Sequence, residues 1–118
     1  MKKVLVVDDS SVDLKNLERI LSDAGAVVVT ASSGNEALLK AKETQPHLIM
    51  MDVNMPGLDG FSVARQLGAD AQTRGIPIIF VTSKDQKADR VFAKMLGAKG
   101  YVTKPYTAEQ LLSQVDQV

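Results

Sequence analysis

The sequence predicts a doubly wound α/β fold in which five parallel strands alternate with five helices. Its apolar runs are short and continuous, which is typical of strands buried on both faces of a parallel sheet. Amphipathic stretches with helical spacing lie between these runs. The connections are short, and right-handed crossovers would place helices on both faces of the sheet. Together these observations predict one domain spanning residues 1–118.

The five predicted strands are the apolar runs themselves. They cover residues 4–7, 27–29, 48–51 and 78–81, followed by a weaker run at Tyr101 and Val102. Apolar residues occupy consecutive positions rather than every second one. We therefore expect the strands to lie inside the molecule, between layers of helices.

Apolar stripes with helical spacing mark the helices, and boundary signals flank them. The stripes comprise Leu14, Leu17, Ile20, Leu21 and Ala24; Leu38 and Ala41; Val91, Phe92, Met95 and Leu96; and Leu111, Leu112, Val115 and Val118. The segments SGNE (33–36) and TAEQ (107–110) fit the capping box that begins a helix. Gly25 and Gly97 stand where a helix end favours a left-handed residue. These signals predict helices separated from the strands by short loops.

Composition excludes several classes of function. The 14 basic and 14 acidic residues balance, which leaves no excess positive charge for nucleic acid or anionic lipid. Without cysteine the chain has no disulfide, thiolate or sulfur-based zinc chemistry. The first apolar run is too short for a signal peptide, and no run approaches the length of a membrane span. We expect a cytoplasmic protein with no direct nucleic-acid contact and no membrane insertion.

Polar side chains follow four of the five predicted strands. Asp8 and Asp9 follow the first strand, Asp52 the third, Thr82 the fourth and Lys104 the fifth. Each of them alone could be a helix cap, a turn residue or a surface residue. Ligands of open parallel sheets, however, bind beyond the carboxyl ends of the strands. Three acids, a hydroxyl and an ammonium at one edge therefore favour a functional site.

The chemistry of this set points to a metal ion and a phosphoryl group. Two carboxylates in contact repel by about 4 kcal/mol near a protein surface, so a cation is the expected partner of the acids. Mg²⁺ suits a small set of oxygen ligands because it keeps several waters, and Mn²⁺ would be tolerated. An aspartate can also act as a nucleophile and form an acyl phosphate. Lysine and hydroxyl would then neutralise and position the phosphoryl group.

Four motifs resemble those of the receiver domain of two-component response regulators. VVDDS, MDVNMPGLDG, FVTSK and YVTKP occur in this order, each after its own strand. The resemblance extends over the entire chain and points to a single-domain, CheY-like regulator. It implies a flavodoxin-like three-layer sandwich with strand order 2-1-3-4-5, in which Asp8, Asp9 and Asp52 meet where the strand order reverses.

The resemblance also implies a role for each site residue. Asp52 would accept a phosphoryl group from the phosphohistidine of a sensor histidine kinase or phosphotransfer protein. Asp9 would bind Mg²⁺ directly and Asp8 through water, and the carboxylate of Asp52 and the backbone carbonyl of Asn54 would complete the protein's share of ligands. The protein would be a phosphoprotein of phosphorelay, chemotaxis or motility signalling. It would not be an enzyme, because it turns over no external substrate.

Further implied features concern the transferred phosphoryl group and the output. Lys104 would pair with the phosphoryl oxygens, Thr82 would donate its hydroxyl to one of them, and the bond from Lys104 to Pro105 would be cis. Tyr101 matches the family's switching aromatic residue. Phosphorylation would change the face of the fourth helix, fifth strand and fifth helix, where a downstream target protein would bind. Lys84 is expected to reach the phosphoryl group or its attacking water.

Two functions stay open within this interpretation. The phosphorylated protein is either a diffusible signal that binds a target or a phosphate sink that competes for a shared kinase. Other classes fit less well. A haloacid-dehalogenase-like phosphatase needs a second acid where Asn54 stands, and a dinucleotide-binding domain needs a glycine-rich turn where DDSS stands. A histidine phosphotransfer module needs an exposed histidine on a helix, whereas His47 follows Pro46 at a strand start.

Overall fold

Five parallel strands form one sheet with helices on both faces in the computed structural model, which describes residues 2–118. The strands are β1 (Lys3–Val7), β2 (Val27–Ala31), β3 (Leu48–Met51), β4 (Ile78–Thr82) and β5 (Gly100–Thr103). The helices are α1 (Ser11–Asp23), α2 (Gly34–Thr44), α3 (Gly60–Ala69), α4 (Lys87–Met95) and α5 (Ala108–Asp116). The strand order β2-β1-β3-β4-β5 confirms the predicted fold class.

Each face of the sheet carries its own apolar core. Leu5 and Val7 of β1 point to one core, which α2, α3 and α4 cover, whereas Val4 and Val6 point to the other, which α1 and α5 cover. This alternation explains the continuous apolar runs, because successive side chains of a strand face opposite sides. None of the helices within residues 2–118 combines the length and apolar character that crossing a bilayer requires.

The register of the central strands sets the position of the functional residues. In the β1–β3 pair Val7 lies opposite Met51, so Asp8 and Asp52 leave the sheet at the same level. The backbone N–H of Asp52 donates to the carbonyl of Val7 at 3.0 Å, which extends the strand pairing by one residue. The two acids are therefore held on neighbouring, hydrogen-bonded backbones.

Helix boundaries follow most of the predicted signals. Thr107 and Gln110 form the expected capping box at the start of α5. At α2, Ser33 accepts the N–H of Glu36 as predicted, but the carboxylate of Glu36 accepts from the N–H of Ser32, one residue before the cap. Gly25 and Gly97 have φ angles of 94° and 89°, the left-handed conformation expected after a helix.

The predicted apolar stripe of α4 is only half correct. Phe92 and Leu96 pack against the core, but Val91 and Met95 are 49% and 77% exposed. Adjacent positions on a helix point about 100° apart, so a short helix at the side of a sheet buries one of two neighbouring stripes. Val91 and Met95 belong to the stripe that faces solvent.

Candidate functional site

Three carboxylates converge at the carboxyl ends of β1 and β3. One oxygen from each of Asp8, Asp9 and Asp52 lies within 4.8 Å of the other two. Asp8 and Asp52 are buried, and Asp9 is exposed. Neither Asp8 nor Asp9 caps α1, because Ser10 is the N-cap and Asp8 instead accepts the N–H of Ser10 at 2.9 Å. The structure therefore brings together the three acids that the sequence placed at this edge.

The backbone after β3 fixes the carboxylate of Asp52. Its Oδ1 accepts the N–H of Val53 at 2.7 Å and the N–H of Asn54 at 3.3 Å. Its Oδ2 faces the ammonium of Lys104 at 3.1 Å. Since one oxygen is held by two backbone donors, the plane of the carboxylate is set by the loop itself. The other oxygen is left to the ammonium of Lys104.

Lys104 links the acids from the opposite side of the cleft. Its Nζ donates to Asp8 Oδ2 at 2.7 Å, to Asp52 Oδ2 at 3.1 Å and to Asp13 Oδ2 at 3.0 Å. An ammonium has three N–H donors, and all three are used here. The bond between Lys104 and Pro105 is cis, as the resemblance implied.

The contact with Asp13 is a part of the site that the sequence reasoning missed. Asp13 stands in the first turn of α1, and its side chain is 45% exposed. The available signal was positional, because α1 begins at Ser11, just beyond Asp8 and Asp9. An acid in its first turn lies near the same edge of the sheet.

Burial and charge act in opposite directions on the ionisable groups of the site. Burial raises the pKa of Asp8, and the hydrogen bonds from Lys104 and the Ser10 N–H offset this only in part. Burial by itself lowers the pKa of Lys104, but the hydrogen bonds to Asp8 and Asp13 and the charge of Asp52 outweigh it. The pKa of Lys104 therefore lies above its usual range, and its side chain is an ammonium at neutral pH. Three acids contact this ammonium, and Asp9 lies beside Asp8 and Asp52. The donor set is therefore oxygen-only and anionic, which fits Mg²⁺.

Thr82 and Asn54 lie beside this cluster. Thr82 is fully buried at the end of β4, and its Oγ1 accepts the N–H of Lys84 at 3.2 Å. It is not the cap of α4, because Gln86 holds that position. Asn54 is exposed and contacts Asp52 through its backbone N–H. Thr82 thus joins the end of β4 to the loop that leads to α4.

That loop connects directly to Tyr101 on β5. The hydroxyl of Tyr101 donates to the backbone carbonyl of Lys84 at 2.8 Å. The guanidinium of Arg90 covers the Tyr101 ring, 4.9 Å from its centroid, and burial raises the pKa of Tyr101 to about 12. The ammonium of Lys84 lies 3.7 Å from Asp89 Oδ1, at the start of α4. The expected reach of Lys84 toward the phosphoryl group would require it to leave this partner.

Asp8→Asn is expected to raise the free energy of unfolding at neutral pH when divalent cations are chelated. The pKa of Asp8 is raised, so the folded protein binds a proton on this carboxyl group more tightly than the unfolded chain does. The ionised carboxylate therefore lowers the free energy of unfolding as the pH rises above the ordinary aspartate range. Asparagine removes the charge and can still accept the Ser10 N–H, and Lys104 keeps two acidic partners.

Urea unfolding of both proteins in a chelator measures this difference. The gain should shrink on acidification below the usual aspartate pKa, where Asp8 is protonated in the folded and the unfolded state alike. A variant less stable than the parent at neutral pH would contradict the expectation.

Comparisons with known proteins agree with this geometry. Residues 4–116 match the family described as the response regulator receiver domain. The chain is 42% identical to Protein PilH of Pseudomonas aeruginosa over 118 residues, covering 100% of this chain and 98% of PilH.

Two solved structures share the fold. The chemotaxis protein CheY4 of Vibrio cholerae superimposes with a TM-score of 0.94 at 36% identity, covering 100% of this chain and 98% of that one. The second is the receiver domain of sensor histidine kinase PA1611 from Pseudomonas aeruginosa, solved with a magnesium ion coordinated in its active site cleft. It superimposes with a TM-score of 0.90 at 28% identity, covering 98% of this chain and 95% of that one. The chain therefore belongs to the response regulator receiver domain family of two-component signalling, with a CheY-like fold.

Proposed function

We propose that Asp52 accepts a phosphoryl group from the phosphohistidine of a sensor histidine kinase or phosphotransfer protein in a Mg²⁺-dependent reaction. One observation carries this function: the carboxylates of Asp8, Asp9 and Asp52 converge within 4.8 Å, with the Lys104 ammonium 3.1 Å from Asp52 Oδ2. Phosphoryl transfer depends mainly on positioning and on neutralisation of the oxygens of the transferred group. The acids can hold a cation, and the ammonium of Lys104 is fixed beside the nucleophile Asp52. Together these groups provide both the positioning and the neutralisation.

Asp8, Asp9 and Asp52, together with the backbone carbonyl of Asn54, would hold the Mg²⁺. When bound, the ion supplies positive charge to the phosphoryl oxygens and orients them. The all-oxygen donor set supports this assignment, as does the magnesium in the cleft of the PA1611 receiver domain. Mn²⁺ would be tolerated for the same reason.

In the transfer itself, a carboxylate oxygen of Asp52 attacks phosphorus as the bond from phosphorus to the imidazole nitrogen breaks. The electron pair of that bond stays on the imidazole, and the product is an acyl phosphate on Asp52. The N–H groups of Val53 and Asn54 hold the carboxylate in place during the attack. Lys104 pairs with one phosphoryl oxygen, and Thr82 donates its hydroxyl to another.

Output would pass through the loop after β4. A phosphoryl group that draws Thr82 inward would move the Lys84 backbone, which holds both Thr82 Oγ1 and the Tyr101 hydroxyl. Tyr101 lines a groove of about 330 Å³ together with Arg90, Thr103, Pro105 and Gln110. The face of α4, β5 and α5 would thus shift between two populations and bind a downstream target protein. This physical link supports a signal rather than a phosphate sink, and the proposed place of action is the cytoplasm.

Intact mass spectrometry after incubation with Mg²⁺ and a small acyl phosphate donor tests the function. The parent protein should gain one phosphoryl group, and Asp52→Asn should gain none because an amide is not a competent nucleophile. Asp59→Asn is the matched control: Asp59 caps α3 seven residues further on, where asparagine also caps well. Modification of Asp52→Asn to the same extent as the parent would refute the proposal.

A further inference from the structure

We propose that Asp13 is a positioning residue for Lys104: it anchors the ammonium from outside the set of acids proposed to hold Mg²⁺. This rests on the proposed function of the site. Asp13 Oδ2 lies 3.0 Å from Lys104 Nζ, close to the distances from that nitrogen to Asp8 and Asp52. Three acceptors for three donors leave Lys104 a single defined orientation.

The three partners of Lys104 differ in exposure and in role. The side chains of Asp8 and Asp52 are 4% and 9% exposed, and both belong to the converging carboxylate set. The side chain of Asp13 is 45% exposed and lies at the rim of the cleft, on α1. Asp13 is not a member of the set in which one oxygen per residue lies within 4.8 Å of the others.

The difference between Asp13 and the two buried acids decides how a cation and Lys104 share the site. Both require Asp8 and Asp52, so they compete for the same two carboxylates. The bond to Asp13 is outside that competition and can persist while the other two bonds are exchanged. Without Asp13 the ammonium would have only the shared acids as partners. When Mg²⁺ takes those two acids, the ammonium would then lose every acidic partner, which weakens Mg²⁺ binding. In the metal-free protein it would turn more often toward solvent.

An acid in the first turn of a helix has a second explanation, because negative charge stabilises a helix N-terminus. Glu109 offers a matched control for that effect. It occupies the first turn of α5 and is exposed, and its carboxylate forms no hydrogen bond or ion pair with any residue from 2 to 118. Glu109→Gln removes a helix-terminal charge, as Asp13→Asn does, but leaves Lys104 untouched.

The first experiment uses the metal-free protein. Exchange of the Lys104 ammonium protons with water is measured by ¹⁵N NMR, and the signal is assigned by its loss in Lys104→Met. Asp13→Asn should speed this exchange about two- to fivefold, as expected for a partly exposed ion pair. Glu109→Gln should not change it. Unchanged exchange in Asp13→Asn, or equal acceleration in both variants, would overturn the proposal.

The second experiment titrates Mg²⁺ and follows amide chemical shifts. Asp13→Asn should weaken Mg²⁺ binding about two- to fivefold, and this effect should shrink when Lys104 is already methionine. Equal weakening in both backgrounds would show that Asp13 acts on the cation directly, which overturns its role through Lys104. If the parent protein bound no Mg²⁺, the proposed function would fail, while the metal-free exchange would still decide the role of Asp13.

Discussion

Lys104→Met is expected to slow phosphorylation of Asp52 by about 10²- to 10³-fold, the usual effect of removing one preorganised charged donor from a transition state. In the structure the ammonium lies 3.1 Å from Asp52 Oδ2 and is held there by two further acids, so it meets an incoming phosphoryl group by exchanging one carboxylate partner for a phosphoryl oxygen. Methionine keeps the apolar stem but supplies no charge. Single-turnover phosphorylation at saturating Mg²⁺, followed by intact mass, measures the rate.

Lys99→Met provides the matched control for this effect. Lys99 is exposed just before β5 and belongs to the same segment of the chain, but it is not part of the acid cluster. Its replacement should leave the rate unchanged. Because removing Lys104 leaves Asp8 and Asp52 buried without their cation, the folded state of each variant is checked by circular dichroism. Equal rates for the two folded variants would contradict the role of Lys104.

The sequence was sufficient to predict the fold and the convergence of the acids because both follow from backbone geometry. Parallel strands end at one edge, so residues that directly follow β1 and β3 must lie near one another. The strand bounds, and the helix ends that a capping box or a glycine marks, agree within a few residues, since apolar runs and caps are local signals. The roles of Asp52, Lys104 and the metal-binding acids stay predictions until the chemistry is measured.

Features that depend on long side chains from different elements were not predictable from local patterns. Lys104 reaches Asp13 across 91 residues of sequence, and Arg90 covers Tyr101 from a helix to a strand. Neither contact leaves a signal in periodicity or in a motif. The exposure of Met95 was not predictable for a related reason: helical spacing shows that two apolar stripes exist, but not which of them faces the core.

Gly60→Ala is expected to lower the free energy of unfolding by about 2–3 kcal/mol, at the upper end of the usual cost of overpacking. A Cβ at this position would lie 2.2 Å from the backbone carbonyl oxygen of Asp52 and 2.9 Å from Cα of Val53. Both neighbours are backbone atoms, which cannot rotate away as a flexible side chain does. Relief requires that the start of α3 move away from the loop after β3. That loop holds the Asp52 carboxylate through the N–H groups of Val53 and Asn54.

Gly68→Ala in the same helix separates this clash from the general effect of alanine. A Cβ at Gly68 meets no atom within 4 Å, so alanine there should stabilise the protein by about 0.5–1 kcal/mol through helix propensity. Urea unfolding should therefore show that the free energy of unfolding falls in Gly60→Ala and rises in Gly68→Ala, each relative to the parent. Under conditions in which both variants are fully folded, Gly60→Ala should also be phosphorylated more slowly than the parent, because the loop that orients Asp52 has shifted. Gly68→Ala should be phosphorylated at the parental rate. If Gly60→Ala were as stable as the parent, α3 would not be packed against the loop after β3, and the close approach at Gly60 would have no part in orienting Asp52.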